Sequence, residues 1–209
     1  MCLGLWCRVG QLTQLLAPYF QQVIATDISA KQLANAPVLP NVRYQLQSAE
    51  QTDFPAQHFD LITVAQAIHW FDFDRFYAEV RRTLKPDGVL AVIGYGLIRT
   101  GQEDINRLID ALYFETLKGY WDAERRYIDE NYQSIPFPFQ EYAVLQLQMT
   151  FEWTITQLIA YLNTWSALQH YQQQHQVNPV DFLHHQLQHY DSDQKIKLSF
   201  PILLRLGYL

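Results

Sequence analysis

Cysteine is nearly absent from this chain. Only Cys2 and Cys7 occur in 209 residues, close together in what reads as a buried strand. That excludes a disulfide framework and a zinc knuckle, and leaves both as reduced core thiols. Long apolar runs are missing too. No stretch approaches the roughly 20 apolar residues a bilayer-spanning helix needs, and the start has no basic region leading into a long apolar run. A cytoplasmic protein is expected. Charge of one sign never accumulates: 15 basic and 21 acidic residues give a formal net charge of -6. Such a surface repels a nucleic-acid backbone on average, so a small-molecule partner is expected, with neither nucleic acid nor membrane. What the chain does hold is 49% apolar and 17% charged residues, the balance of a folded globular protein.

The first half alternates short apolar strands with helical segments. Leu3 to Cys7 is apolar, and Gly10 opens a segment with Leu12, Leu15, Leu16 and Tyr19 at helical spacing, with Pro18 near its end. Val23 to Thr26 is a strand ending at Asp27, and Ser29 can cap a short helix through Ala36. Asn41 to Leu46 is the next strand, entered at Pro40. Ile62 to Ala67 has the continuous apolar or small character of a central parallel strand, and its acid-bearing start at Asp60 reads as a turn. Phe73, Phe76, Tyr77, Val80 and Leu84 make one face of a helix. Lys85-Pro86-Asp87-Gly88 stops it, Asp87-Gly88 turning the chain into a strand from Val89 to Gly94. This order is that of a nucleotide-binding α/β sheet.

After Gly96 the pattern changes. A helix is expected from about Glu103 to Gly119, an aromatic segment to Pro138, and a strand from Tyr142 to Phe151. Thr156 to Trp165 and Pro179 to His189 read as helices, Gln172-Gln173-Gln174 as an exposed turn, and Lys195 to Phe200 as a last strand. Of the five histidines from His170 to His189, His185 and His189 have i, i+4 spacing. No Cys lies near and no His-Glu-x-x-His occurs, so a solvated helix face is expected and no metal.

Four pieces in order, "VIATDIS", "QSAEQTDFPAQHFDLI", "VAQAIHWFD" and "LKPDGVLAVIG", resemble the class I methyltransferases that use S-adenosylmethionine. Ala67-Ile68-His69-Trp70-Phe71 points more narrowly to the branch similar to trans-aconitate methyltransferase, and the resemblance covers nearly the whole chain. It implies an α/β fold, a Rossmann-like, doubly wound, mostly parallel sheet with helices on both faces and a helical substrate-lid insert. Residues 1–209 would form a single domain, 1–97 as the cofactor-binding half and 98–209 as lid helices and C-terminal strands. The implied cofactor is S-adenosylmethionine and the implied reaction is methyl transfer to a small-molecule acceptor, a carboxylate or other oxygen.

Ligands of a parallel sheet collect outside the carboxyl ends of its strands, where Asp27 can accept hydrogen bonds from both ribose hydroxyls. Ile28 would then pack beside the adenine. The resemblance places Ala49 and Glu50 where the family grips adenine with a backbone amide and a nearby acid. Gln66 falls near the methionine portion, or is an inward polar residue satisfied by backbone. His69 and Trp70 either face the substrate, the imidazole orienting an acceptor and the indole excluding water, or form a core aromatic pair. Arg125 and Arg126 are candidates for an anionic substrate, with surface charge as the alternative.

The family's glycine-rich loop is altered. Aligned on Gly10-Gln11-Leu12-Thr13, Gly4 stands at the usual acid, and Trp6 and Arg8 at two of the glycines; only Gly10 is kept. Large side chains where backbone must approach a ligand imply obstruction, and the chain starts at or just inside the first strand, as a shortened product would. A non-catalytic remnant or interaction protein of the same fold is therefore the second reading. A nicotinamide-dependent oxidoreductase is a third, since an acid after the second strand also suits an NAD ribose.

Overall fold

The computed structural model describes residues 1–5 and 10–209. Trp6, Cys7 and Arg8 lie outside the described residues. In chain order the elements are β1 (Cys2–Leu5), α1 (Gln11–Leu16), β2 (Val23–Asp27), α2 (Ala30–Ala34), β3 (Val42–Leu46), β4 (Phe59–Ala65), α3 (Phe73–Thr83) and β5 (Leu84–Tyr95). They continue with β6 (Arg99–Thr100), α4 (Glu103–Asp110), α5 (Arg126–Asp129), β7 (Gln140–Glu141), β8 (Leu147–Trp153), α6 (Ile155–Leu162), α7 (Ser166–His175), α8 (Pro179–Gln186) and β9 (Ile196–Tyr208).

Two compact units result, neither a single stretch of chain. The first combines Met1–Tyr95, Tyr127–Gln146 and Ile202–Leu209; the second combines Gly96–Arg126 and Leu147–Pro201. In the first unit the strand order is β3-β2-β1-β4-β5-β9. The pairs from β3 through β5 are parallel, and β9 closes the edge antiparallel to β5, from Leu90 opposite Gly207 to Tyr95 opposite Ile202. A chain that moves outward from β1 to β3 and then returns to place β4 on the other side of β1 reverses its strand order there, as in doubly wound sheets. β2 is buried at all five positions, as a central parallel strand must be.

The core of this unit packs Phe59, Ile62, Val64 and Leu90 with Phe76, Tyr77 and Val80 of α3 and with Ile128, Tyr132 and Ile135. Asp72 caps α3 by accepting from the Arg75 amide at 3.2 Å, and Ser29 caps α2 through the Gln32 amide at 3.3 Å. Tyr132 is fully buried in the left-handed backbone region at φ 61°, a strained setting for a bulky residue. Its amide donates to Tyr127 O at 2.7 Å, and its carbonyl accepts from Arg205 Nη1 at 3.0 Å. Gly94 lets the ring in: a Cβ there would stand 2.5 Å from the Tyr132 hydroxyl and 2.6 Å from Cε2.

In the second unit β6 and β8 pair with β9, whose Leu198 and Ser199 stand opposite Thr100 and Arg99. α4 runs on into a π-helical stretch over Ala111–Thr116.

Several local expectations change. Asp60 lies inside β4 and not in a turn, its carboxylate held at a pKa of about 2 chiefly by the Lys85 ammonium 2.7 Å away. Lys85-Pro86-Asp87-Gly88 does not separate helix from strand: β5 already begins at Leu84. Pairing jumps from Phe59–Leu84 to Leu61–Val89, so the four residues 85–88 of β5 stand against Asp60 alone and the extra ones bulge out. Gln172, Gln173 and Gln174 lie within α7 and not on a turn, because glutamine is a good helix former and nothing in the run breaks a helix. The strand expected from Tyr142 to Phe151 runs from Leu147 to Trp153, and the last strand extends eight residues past Phe200: Pro201, which has no N–H to donate, falls between the pairing with β6, which ends at Ser199, and the pairing with β5, which starts at Ile202.

Gly94→Ala should destabilise the fold by about 1–3 kcal/mol through overpacking against Tyr132. Denaturant unfolding checks this, and a smaller loss in a Tyr132→Ala background would show that the clash is the cause.

Candidate active site

The carboxyl ends of β2, β3 and β4 all meet one cleft, lined by Thr26, Ile28, Gln47, Ala49, Glu50, Trp70 and Phe71. Asp27 ends β2 between two of these residues. It is 4% exposed, and its Oδ1 accepts the Ser29 amide at 2.7 Å, so the carboxylate is aimed by its own strand end. Ile28 is 62% exposed and Trp70 46% exposed. Large apolar side chains left open on a cleft wall are the surface a flat aromatic ligand would cover.

The turn after β3 carries Ala49 and Glu50. It is closed at its base by Gln47 and Asp53: Gln47 Nε2 donates to Asp53 Oδ1 at 2.5 Å, and the Asp53 amide returns a bond to Gln47 Oε1 at 3.3 Å. An isolated bridge joins Ser48 to Gln51 inside it. Glu50 accepts from the Ser48 hydroxyl and, through Oε1, from the Asp72 amide at 3.3 Å. A carboxylate has lone pairs to spare beyond these two bonds.

The far limb of the turn is fastened to α3. Glu79 Oε1 accepts both the amide and the hydroxyl of Thr52, at 2.9 and 2.5 Å. Arg82 donates to both carboxylate oxygens of Glu79 at 2.9 and 2.6 Å and, through Nη1, to Phe54 O at 2.6 Å. Burial pushes the Glu79 carboxyl up, but the Arg82 and Thr52 hydrogen bonds outweigh it and hold the group below the ordinary 4.5.

The sequence-expected residues divide. Ile28, Ala49, Glu50 and Trp70 line the cleft, and Asp27, which is buried, ends β2 between the lining residues Thr26 and Ile28. Gly10 precedes α1 at φ 71°, where a Cβ would meet Pro37 Cδ at 2.7 Å, so both conformation and space demand glycine. Gln66 is also left-handed, at φ 53°, and its amide is committed to Tyr95: Oε1 accepts the Tyr95 amide at 2.9 Å and Nε2 donates to its carbonyl at 3.3 Å. His69 is 7% exposed, its ring stacked on Tyr132 at 6.3 Å between centroids, while Trp70 turns outward. Gln47 and Phe71 are cleft residues that the sequence reading missed. Phe71 ends the motif noted and Gln47 opens the second quoted piece, but neither was given a role.

In the second unit Arg125 donates from Nε to the Tyr113 hydroxyl at 2.8 Å, and its guanidinium lies 5.0 Å from the Trp121 ring centroid. Arg126 is exposed at the start of α5. Among the described residues no group of three or more His, Cys, Asp or Glu side chains is placed to hold a metal ion.

A family model described as "Methyltransferase domain" matches residues 3–92. The solved structure of an Anaeromyxobacter dehalogenans protein described as a type II methyltransferase superposes on 99% of this chain and 88% of its own, with a TM-score of 0.92 and 33% identity. A Dictyostelium discoideum protein with a methyltransferase name is 39% identical over 160 residues, covering 76% of this chain and 61% of that protein. Against two further relatives, YcgJ of Bacillus subtilis and CRG1 of Saccharomyces cerevisiae, the chain spans less than half of their length. This chain belongs to the class I S-adenosylmethionine-dependent methyltransferases, the mixed, mostly parallel sheet being that family's Rossmann-like fold. S-adenosylmethionine is the cofactor of that family, and the cleft suits it: an acid at the end of β2, an amide and acid after β3, and apolar walls between them.

Because Glu79 has its pKa lowered in the folded protein, its contribution is complete above pH 4.5 and fades as pH falls through the folded value. Glu79→Gln should therefore flatten the acid side of the stability curve and cost on the order of 1–3 kcal/mol at neutral pH. Urea midpoints at neutral and acid pH check both.

Proposed function

We propose that this chain binds S-adenosylmethionine in the cleft at the carboxyl ends of β2, β3 and β4 and transfers its methyl group to a small-molecule acceptor, a carboxylate in the first instance. One observation carries the reading: Ile28, Ala49, Glu50 and Trp70, from three separate strand ends, line a single cleft, and Asp27 ends β2 between two of its lining residues. Asp27 takes the ribose hydroxyls. The Ala49 amide and Glu50 carboxylate take the acceptor and donor on the adenine edge, and Ile28 and Trp70 cover its faces. Gly10 lets the chain turn from β1 toward α1 close to the ligand.

The cofactor, when bound, supplies an electrophilic methyl group on a sulfonium. Transfer of that methyl group to a carboxylate oxygen would leave a neutral thioether and would ask no proton transfer of the protein. Orientation and exclusion of water are then the main catalytic terms. That agrees with His69, which is packed on Tyr132 as a support for Trp70 and is not asked to act as a base. Trp70 shields the reacting centre from water. Arg125, its guanidinium fixed by Tyr113 and Trp121, is the proposed carboxylate holder, with Arg126 beside it in sequence. A carboxylate acceptor also fits the likeness of "AIHWF" to the trans-aconitate branch. No helix of the described residues is long and apolar enough to cross a membrane, and the net charge of -6 disfavours a nucleic-acid partner; a cytoplasmic location is part of the proposal.

Calorimetric titration with S-adenosylhomocysteine tests the reading. Micromolar binding is expected, weakened roughly a hundredfold in Asp27→Ala, where two charge-assisted hydrogen bonds are lost. No saturable heat from a folded chain, or unchanged binding in Asp27→Ala, would overturn it. Arg125→Lys should raise KM for a carboxylate acceptor about tenfold, a single ammonium replacing a two-point guanidinium contact, with S-adenosylhomocysteine affinity unchanged.

A further inference from the structure

We propose that Glu79, through Arg82 and Thr52, is a positioning residue that sets the site's selectivity for adenine. The inference rests on the cleft being the adenosyl site. Glu79 does not line that cleft. It stands on α3, a helix fixed in the core by Phe76, Tyr77 and Val80, which are 0, 4 and 1% exposed. From there its carboxylate holds both polar groups of Thr52, and Arg82 holds the Phe54 carbonyl.

These bonds reach the adenine grip within two residues. Thr52 follows Gln51, which is bridged to Ser48, and Asp53 is clamped to Gln47. The turn that presents the Ala49 amide and the Glu50 carboxylate thus has both limbs tied together and one limb bolted to a core helix. Ala49 and Phe54, 8 and 6% exposed, seat the two ends of the turn in the core, while Gln51 and Asp53 between them are exposed. The register of this exposed stretch on the helix comes from the Glu79 and Arg82 bonds. Selectivity between purines needs that register. Adenine offers an exocyclic amine donor and a ring-nitrogen acceptor, and hypoxanthine offers the reverse. A fixed amide and carboxylate reject the reversed pair because each is left facing its own kind. A turn free to shift by an ångström would accommodate either.

The experiment compares S-adenosylhomocysteine with S-inosylhomocysteine, and separately with its 2′-deoxyribose analogue, by calorimetry. Wild type should prefer adenine over hypoxanthine roughly tenfold or more, the scale of one hydrogen bond to a charged group made or lost. In Glu79→Gln that ratio should fall at least threefold, with the ribose ratio, read by Asp27, unchanged. Thr52→Val, which removes only the hydroxyl contact, should shift the adenine ratio in the same direction and carries the test if Glu79→Gln does not fold. An adenine ratio unmoved in a folded variant overturns the inference, as do two ratios that collapse together, the mark of general damage. No binding of S-adenosylhomocysteine by wild type would instead overturn the cleft assignment beneath it.

Discussion

Reversal of strand order at β1 is the constraint from which the rest of this structure follows. With β2 and β3 on one side of β1 and β4 and β5 on the other, the chain leaves β2 and β4 in opposite directions, and ligands of such sheets bind at this point, outside the carboxyl ends of the strands. The polar residues of the candidate site stand at that edge. Asp27 terminates β2, the Gln47–Asp53 turn follows β3, and the Ile68–Asp72 segment follows β4. Each is short, so each is positioned by the strand before it and by a few side-chain hydrogen bonds.

Those bonds fall into two kinds. Some aim a functional group directly, as the Ser29 amide aims Asp27. Others hold backbone that would otherwise drift. Arg205 donates to the Tyr132 and Ile135 carbonyls at 3.0 and 2.7 Å and pairs with Glu141, which secures residues 132–141 over the sheet of the first unit. Arg82 does the same for the turn after β3. Guanidinium groups suit this task, since their several donors can reach two carbonyls and a carboxylate at once. The left-handed backbone of Tyr132 and the missing Cβ at Gly94 belong to the same packing, since the ring occupies the space a Gly94 Cβ would take.

The sheet was largely legible in the sequence. β2 and β3 were found within a residue and β4 within three, since each is a compact apolar run bounded by polar residues, and the Ser29 cap was visible as a residue type in its place. Asp60 was misplaced because its neutralising partner, Lys85, is 25 positions away and no local pattern announces it. The glutamines of α7 were misread because polarity was taken for a turn when the helical register was set by Ala167 and Leu168, both buried. Of the residues named from the sequence and the family resemblance, Ala49, Glu50 and Trp70 line the cleft and Asp27 ends the strand beside it. The commitment of Gln66 to Tyr95 and the burial of His69 beneath Trp70 could not be read from the sequence, because both depend on pairings with residues 29 and 63 positions further on. Gln47 was invisible for the same reason: its partner, Asp53, matters only once the turn has closed.

The interleaving of the two units has a consequence for how the protein is made. Strand β5 waits for its antiparallel neighbour until residues 202–207 have left the ribosome, more than a hundred residues after β5 itself. Throughout that interval a long, apolar edge with unpaired backbone groups is open to any passing strand. A nascent chain stalled between the two would present that edge to its neighbours on the same message, so slow translation of the second unit is where self-association of this protein would begin.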